Sequence, residues 1–328
     1  MKDVQHKGRT ALFIILVVAL ALMLPVFTRN SYFIHLMVMA LVYGIVAMGL
    51  NILTGYTGKL SLGHAGFFGL GAYVSALLSI KLGMPALVSI LAAGIALFFM
   101  GVLLGLPTLR LEGHYLSIVT IGFNEVIILA LINMRSLTRG PGGLRGIPPI
   151  SIGGFELVSD VSQYYFMIAV VAILLWLKSK LVKSHVGLAL RAVMDGEVAS
   201  EACGVNVAYY RVFAFGISAM YAGIGGGVLA HLLNYISPYS FQSPESFALL
   251  GMLVVGGIGT LAGPIIGSII MTLLPEYLRA FADFRLIINA VLTIILLIKV
   301  PGGVAGFFSY LARKVERRSS DGLDTASR

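Results

Sequence analysis

GLALRAVMDGEVASEACGVNVAYYR, residues 187–211, is a long polar interruption between strongly apolar segments of the chain. Apolar side chains recur in it at near-helical spacing, with charged residues between them, which predicts a short amphipathic helix. Such a helix does not span a bilayer; it lies on a membrane face or docks into another protein. Gly204 is expected to end it, as glycine commonly does at a helix C-terminus. Because Lys178, Lys180 and Lys183 precede the segment, the positive-inside rule places it in the cytoplasm.

The composition is that of an integral membrane protein. Hydrophobic residues make up 58% of the 328 residues, charged residues 11%, and the mean hydropathy is +0.96. Soluble domains carry about 25% charged residues. The apolar runs are long and unbroken, so they predict spanning helices and not the short alternating strands of a membrane barrel. The net charge of +9 comes from basic residues at the ends and in loops, a pattern that orients a chain in a bilayer and does not indicate nucleic-acid binding.

The order of the apolar runs predicts an all-α, polytopic transmembrane helical bundle with about eight crossings. We expect spanning helices at residues 11–27, 32–53, from about 63 onward, 85–106, 114–133, 164–181, 212–233 and 286–299. The first run is interpreted as a retained helix because no small-residue cleavage site follows it. The basic residues before it place the N-terminus, residues 1–10, in the cytoplasm.

A further apolar segment, residues 247–274, is interrupted by GGIGTLAGP. If it crossed once, the helix at residues 286–299 would carry the basic tail, residues 311–328, to the outside. Two half-spans that meet at the glycines keep that tail in the cytoplasm. We therefore predict a broken, re-entrant segment near 247–274, within a transmembrane domain of residues 11–310.

Two stretches form a faint internal repeat. TGKLSLGHAGFFGLGAY (residues 57–73) and IGTLAGPIIGSIIMTL (residues 258–273) each place a glycine-rich bend before a helix of small residues. Paired interruptions in the two halves of a transporter point to a site near the membrane midplane. The glycines of the first stretch favour close helix packing, and a helix broken beside a pathway is the alternative. The Gly- and Pro-rich loop at residues 134–163 is expected outside, either in contact with a partner or merely solvated.

The chemistry of hydrolytic or ATP-driven catalysis is missing from the sequence. There is no GxxxxGK[ST] motif, and the nearest stretch, residues 55–60, lacks both the spacing and the hydroxyl that would hold magnesium. HExxH and GxSxG are absent as well, and the six histidines are scattered. Cys203 is the only cysteine, so neither an intrachain disulfide nor a cysteine metal cluster is expected. The chain is therefore predicted not to be an enzyme, and no metal site is expected.

Several motifs resemble one family of transport proteins. EACGV at residues 201–205 looks like the EAA-type loop of ABC-importer permeases. The others, in order, are GLNILTGYTG (49–58), LSLGHAGFFG (60–69), YLSIVTIGF (115–123), GPGGLRGI (140–147) and GGIGTLAGP (256–264). Together they are similar to the LivM-type permease subunits of branched-chain amino acid ABC importers, over about residues 43–303.

The resemblance implies a membrane permease that other chains drive. The permease would lie in the inner membrane of a prokaryote. Its partners would be a second homologous permease subunit, two cytoplasmic ATPase subunits and an extracytoplasmic substrate-binding protein. ATP and magnesium would be used by the ATPase subunits, and this chain would bind no cofactor itself. The coupling loop, residues 183–211, would transmit the motion of the ATPases, with Arg191, Glu197, Glu201, Ala202 and Gly204 as its candidate residues.

The candidate substrate pathway rests on the polar groups inside the apolar helices and on the two bends. Glu125 lies well inside its helix, where a carboxylate is costly, so it either pairs with a substrate ammonium, serves as a gate charge, or is hydrogen-bonded to Asn or His on a neighbouring helix. His64 is interpreted as a packing or hydrogen-bonding residue. Backbone amides at the bends could hold a substrate carboxylate. The remaining candidates are Asn51, Ser61, Gly256, Gly257 and Gly259.

Other functions stay open at this point. Within the same permease type, the substrate could be urea, a short amide or another amino acid. A self-sufficient secondary transporter or channel is the alternative from another class. It would require a network of membrane carboxylates, for which Glu125 alone gives little support.

Overall fold

The computed structural model describes residues 22–25, 28, 30–109, 114–278 and 303, and within them the chain is almost wholly helical. The two termini, most of the predicted first helix and the predicted helix at residues 286–299 lie outside the described residues. The all-α, polytopic fold class is confirmed. Within the described residues, six helices are long and apolar enough to cross a membrane. They match six of the crossings predicted from the apolar runs.

The helices follow one another with short connections, except at residues 139–159 and 234–242. In chain order they are α1 (Ser31–Thr57), α2 (His64–Leu82), α3 (Ala86–Thr108), α4 (His114–Asn133), α5 (Arg135–Thr138), α6 (Asp160–Lys183), α7 (His185–Asp195), α8 (Glu197–Ala202), α9 (Val207–Leu233), α10 (Ser243–Gly256) and α11 (Gly263–Tyr277). Four strands of two residues each, β1 (Leu144–Arg145), β2 (Ser151–Ile152), β3 (Phe155–Glu156) and β4 (Tyr235–Ile236), lie between them. The six long helices are α1 to α4, α6 and α9. We call the end of the bundle that carries α7 and α8 the coupling end.

Helices α1 and α9 form the centre of the bundle. Helix α9 packs on α1, α2 and α3, and α1 also packs on α6 and α11. The buried side chains of α1 include small and medium apolar residues such as Val38, Ala47 and Leu50. Hydrophobicity all around a helix is typical of one enclosed by other helices, which is the position that α1 takes.

Glycines allow three of these helices to approach one another at backbone distance. A Cβ atom at Gly71 of α2 would overlap the backbone of Gly223 in α9, and one at Gly101 of α3 would overlap the Phe215 carbonyl of α9. Close approach of this kind increases dispersion contact where no hydrophobic driving force acts between helices in lipid. Helix α2 is continuous, so its glycines serve packing and not a break within the helix.

The break predicted within residues 247–274 is present, as the bend of a helical hairpin that spans residues 243–277. Helix α10 ends at Gly256, residues 257–262 form a non-helical bend, and α11 begins at Gly263. Gly267 faces the Met252 carbonyl, so the two helices run antiparallel with no room for larger side chains between them. Gly303 lies against Gly256 and Gly257, which brings the chain back to the same bend.

The coupling loop differs from the single helix predicted for it. Gly196 separates α7 from α8, and Gly204 then ends α8 with φ of +83°. The Val205 amide donates to the Ser200 carbonyl at 3.0 Å and the Gly204 amide donates to the Glu201 carbonyl at 2.9 Å. These two bonds form a Schellman motif, in which a residue with positive φ favours glycine. The predicted stop at Gly204 is thus observed, while the break at Gly196 was not predicted.

The loop at residues 134–163 is folded onto the opposite end of the bundle, so it is not merely solvated. Strand β1 pairs with β4, which follows α9 directly. Ile147 and Ile150 are buried, and His231 of α9 bonds the Pro148 carbonyl at 2.7 Å. The Asn234 side chain donates to the Ile147 carbonyl at 2.9 Å. The loop therefore ties the far ends of α4 and α9 together.

We expect Gly71→Ala to lower the free energy of unfolding by about 1–3 kcal/mol, the cost of overpacking a tight interface. Its added Cβ would meet the fixed backbone of Gly223. Gly251→Ala is the matched control, because the nearest atom there is the flexible Met271 side chain at 3.5 Å. Thermal unfolding of the two purified variants gives the comparison, and an unchanged midpoint for Gly71→Ala would contradict the packing interpretation.

Candidate coupling and transport sites

The inner side of the coupling loop is packed against the last turns of α1. Leu190 of α7 is buried in a small apolar cluster with Leu53 and Tyr56 of α1. The guanidinium of Arg191 lies over the Tyr56 ring, 5.5 Å from its centroid. A cation over an aromatic face is attracted by the ring quadrupole, so Arg191 adds to the apolar contact. Arg191 is itself exposed, and its guanidinium reaches back to the last turn of α1.

Glu197 fixes the start of α8. Its carboxylate forms ion pairs with Lys59, at 2.9 Å, and with Arg211 in the second turn of α9. A carboxylate in the first turn of a helix also has a favourable interaction with the helix dipole. Lys59 belongs to the connector, residues 58–63, which links α1 to α2. Glu197 therefore joins the coupling loop to two elements of the bundle.

The other predicted coupling residues point away from the bundle. Glu201, Ala202 and Gly204 are all exposed. In the same loop Val198 of α8 is 84% exposed and Leu188 of α7 60%. The coupling loop accordingly has an inner face that is anchored, and its exposed residues combine apolar side chains with the carboxylates of Asp195 and Glu201.

The hairpin bend is bound by the side chain of Asn51 on α1. The Asn51 amide nitrogen donates to the Thr260 carbonyl at 2.6 Å, and its oxygen accepts from the Gly259 amide at 2.8 Å. Asn51 is fully buried, and Gly55 one turn later lies against Gly259. The Gly259 amide is therefore occupied in this conformation and is not open to a carboxylate. The bend lies beside residues within two turns of the α1 C-terminus, toward the coupling end of that helix.

Lys178 of α6 binds the same bend and was not identified as a site residue from the sequence. Its ammonium donates to the Leu261 carbonyl at 3.1 Å and to the Thr260 carbonyl at 3.3 Å. Its side chain is fully buried, although Lys180 two residues later lies over the Trp176 ring. The sequence placed Lys178 among the basic residues that orient the loop. Lys178 lies five residues before the end of α6, and no local feature of the sequence distinguishes it from Lys180.

Ser61 and His64 join the N-terminus of α2 to the central helices. The Ser218 hydroxyl of α9 donates to the Gly49 carbonyl of α1 at 2.6 Å, so it accepts from Nε2 of His64, also at 2.6 Å. Nδ1 of a neutral His64 then accepts from the Ser61 hydroxyl at 3.1 Å. All three side chains are buried. This arrangement agrees with the hydrogen-bonding interpretation of His64.

Glu125 lies apart from these residues, on an exposed face of α4. It accepts a hydrogen bond from Ser243, which in turn accepts from Asn124 at 3.3 Å. The partner is thus a serine of α10 and not the Asn or His that the sequence suggested. Nearby, the Ala65 amide in the first turn of α2 donates to the Ser246 hydroxyl at 3.0 Å. The first turn of α10 therefore bridges α2 and α4 beside Glu125.

Hydroxyl side chains of the neighbouring helices form hydrogen bonds with the backbone of the connector, as Asn51 and Lys178 do with the hairpin bend. The Leu62 amide donates to the Thr120 hydroxyl at 3.0 Å, and the Ser117 hydroxyl donates to the Leu60 carbonyl at 3.1 Å. Thr54 of α1 donates to the Lys59 carbonyl at 3.2 Å. The two halves of the faint repeat thus both lie beside the last turns of α1. Among the described residues, no three His, Cys, Asp or Glu side chains come together in a possible metal site.

A bundle of long apolar helices, with a re-entrant hairpin and an anchored amphipathic loop at one end, defines a polytopic membrane transport protein. The chain belongs to the family described as branched-chain amino acid transport system / permease component, whose model matches residues 32–301. It is therefore a permease component of a transport system and not an enzyme.

Individual relatives carry related descriptions. The chain is 31% identical over 316 residues to the high-affinity branched-chain amino acid transport system permease protein LivM of Escherichia coli K12, which covers 89% of this chain and 74% of that protein. It is 23% identical to LivH of Salmonella typhimurium, over 80% of this chain and 91% of that protein. It is 26% identical to the guanosine ABC transporter permease protein NupQ of Bacillus subtilis, over 74% and 83% respectively. No solved structure matches the chain.

We expect Ser218→Ala to destabilise the bundle by about 1–3 kcal/mol, because it leaves the buried Nε2–H of His64 and the Gly49 carbonyl without their partner. Ser162→Ala, in the exposed first turn of α6, is the control. Thermal unfolding of the purified protein measures both. Equal stability of Ser218→Ala and the wild type would show that the hydrogen-bond chain through His64 does not hold α2 in place.

Proposed function

We propose that this chain is a transmembrane permease subunit of an ATP-driven importer and translocates branched-chain amino acids delivered by an extracytoplasmic binding protein. The observation that carries the proposal is the family match over residues 32–301, joined by 31% identity to LivM. The protein would act in the cytoplasmic membrane of a prokaryote, with both termini in the cytoplasm.

The subunit would work with four other chains, namely the binding protein, a second permease subunit and two ATPase subunits. A second homologous permease subunit is supported by the similarity to both LivM and LivH. Two ATPase subunits would supply energy, since the sequence holds no phosphate-binding loop of its own. ATP and magnesium would be used there, and this chain would bind no cofactor.

The outer face of the coupling loop is where we place the ATPase contact. Val198 and Leu188 offer apolar surface, and Glu201 and Gly204 lie beside them in the open. The inner face is anchored by Glu197 and by the contact of α7 with α1. A lever needs both a free surface for the driving partner and a firm attachment to the driven part.

The exposed face of α4 is where we place the second permease subunit and the substrate path. Tyr115, Ile118, Val126 and Leu129 are exposed on it, together with Glu125. An ionised side chain that faces lipid at mid-helix costs about 2.5–3.5 kcal/mol on insertion scales. A protein partner or a watered path removes that cost, and membrane carboxylates commonly line such paths.

Glu125 would bind the ammonium of the substrate within that path. Its carboxylate is exposed, and the hydrogen bond from Ser243 occupies only one of its acceptor sites, so others stay open to the N–H donors of an ammonium.

Other substrates of the same permease type remain as outcomes of the test. The similarity to a guanosine permease means that a nucleoside is one of them, and urea, short amides and other amino acids are the rest. Uptake of labelled leucine by the complete transporter in proteoliposomes, with its binding protein and ATP, tests the proposal. Competition by excess guanosine or urea, but not by isoleucine or valine, would contradict it, as would uptake by this chain alone.

We expect Glu201→Ala to reduce the uptake per ATP hydrolysed, because it alters the free face of the coupling loop. Disruption of Gly204 is expected to act in the same direction. Glu201 is exposed, so the fold should persist. Glu156→Ala, also exposed but in β3, is the matched control and should transport normally. Normal coupling in Glu201→Ala and in a Gly204 variant would contradict the placement of the ATPase contact.

We expect Glu125→Gln to raise the KM for uptake at least tenfold, because a hydrogen bond between ions contributes about 1.5–3 kcal/mol. Glu125→Asp keeps the charge and should recover part of the affinity. The measurement is initial uptake against substrate concentration, which separates KM from kcat. If Glu125→Gln lowered kcat at unchanged KM, the carboxylate would act in gating and not in binding the ammonium.

A further inference from the structure

The hairpin bend, residues 257–262, is bound from two sides by buried polar side chains of different helices. On one side Asn51 of α1 pairs with the Gly259 amide and the Thr260 carbonyl. On the other side Lys178 of α6 donates to the Thr260 and Leu261 carbonyls. Thr260 accepts from both, so its carbonyl joins α1, α6 and the bend at one point.

The contact made by Lys178 is an unusual use of a buried ammonium. Its side chain is 0% exposed, and no carboxylate among the described residues lies within ion-pair distance of it. A buried cation is tolerated when its donors are satisfied, and here backbone carbonyls at a break between two helices do so. The ammonium of Lys178 and the carbonyl groups of the bend therefore serve as each other's hydrogen-bond partners. Separating them would leave both the charge and the carbonyls without these partners.

Lys178 is also close to the coupling loop along the chain. Only Ser184 separates α6 from α7, and Lys178 lies seven residues before His185, about 10 Å along a helix. One turn earlier, the Leu174 carbonyl of α6 accepts from the Tyr221 hydroxyl of α9 at 2.8 Å. A displacement of α7 would therefore be transmitted to the Lys178 ammonium through about 10 Å of helix that is held in place by a hydrogen bond to α9.

We propose that Lys178 is a positioning residue that latches the hairpin bend to α6, so that displacement of the coupling loop pulls on or releases the bend. Asn51 forms the fixed half of the latch, because it sits on α1 in the centre of the bundle. Residues 257–262 are then the moving part that opens or closes the path at the coupling end. This inference rests on the proposed function for the origin of the pull, but the latch itself is a property of the chain.

Hydrogen–deuterium exchange of the bend tests the latch directly, in the complete transporter reconstituted in nanodiscs. The variants are Lys178→Met, which removes the charge, and Lys178→Arg, which keeps it. Lys180→Met is the matched control, since Lys180 lies on the same helix but is exposed, with its ammonium over the Trp176 ring. Asn51→Ala removes the other half of the latch and serves where Lys178→Met does not fold.

We expect the amides of residues 257–262 to exchange about tenfold faster or more in Lys178→Met and Asn51→Ala, as loss of a charge-assisted or buried hydrogen bond implies. Lys178→Arg should retain much of the protection, and Lys180→Met all of it. In the wild type, addition of ATP should change exchange in the bend, and this response should disappear in Lys178→Met together with a lower uptake per ATP. A purely structural role would instead accelerate exchange throughout α6 and α9.

Unchanged exchange of the bend in both Lys178→Met and Asn51→Ala would overturn the latch, whatever the transport activity. A general loss of protection across the bundle in both variants would overturn it as well. Failure of the proposed function looks different, because wild-type complex would then show no ATP-dependent uptake while the exchange of the bend still depended on Lys178.

Discussion

Backbone groups that leave a helix inside a membrane protein need hydrogen-bond partners, because lipid offers none. The chain breaks its helical pattern twice among the described residues of the bundle interior, at the connector and at the hairpin bend. At the connector, hydroxyl groups of Thr54, Ser117 and Thr120 supply the partners. At the bend, Asn51 and Lys178 supply them. The positions of α1, α4 and α6 follow from these two requirements.

The last turns of α1 contact the hairpin bend, the coupling loop and the connector. Asn51 and Gly55 contact the bend, Leu53 and Tyr56 contact α7, and the connector follows at once. Glu197 then ties the connector to α8 through Lys59. The candidate transport residues and the candidate coupling residues are thus separated by a few turns of one buried helix. A transporter driven from one membrane face needs such a short route between the surface that receives the force and the part that moves.

Much of the fold could be predicted from hydropathy and charge, because the bilayer restricts the choices. Long apolar runs predicted the six described spans, and the basic tail predicted a broken segment near 247–274, which the structure shows as a hairpin over residues 243–277. The finer features depend on contacts between distant residues. Lys178 and Lys180 differ by two positions in sequence, yet one is buried on the bend and the other lies over Trp176. Nothing local in the sequence distinguishes them, and the partner of Glu125 is hidden for the same reason.

The glycine contacts among α2, α3 and α9 have a mechanical consequence. Backbones in direct contact, as at Gly71 and Gly223, leave no side chains that could change rotamer and absorb sliding. These three helices will move as a stiff block. Shape change during a transport cycle is then expected where polar side chains join the hairpin to α1 and α6, so one part of the protein is rigid and the other can deform.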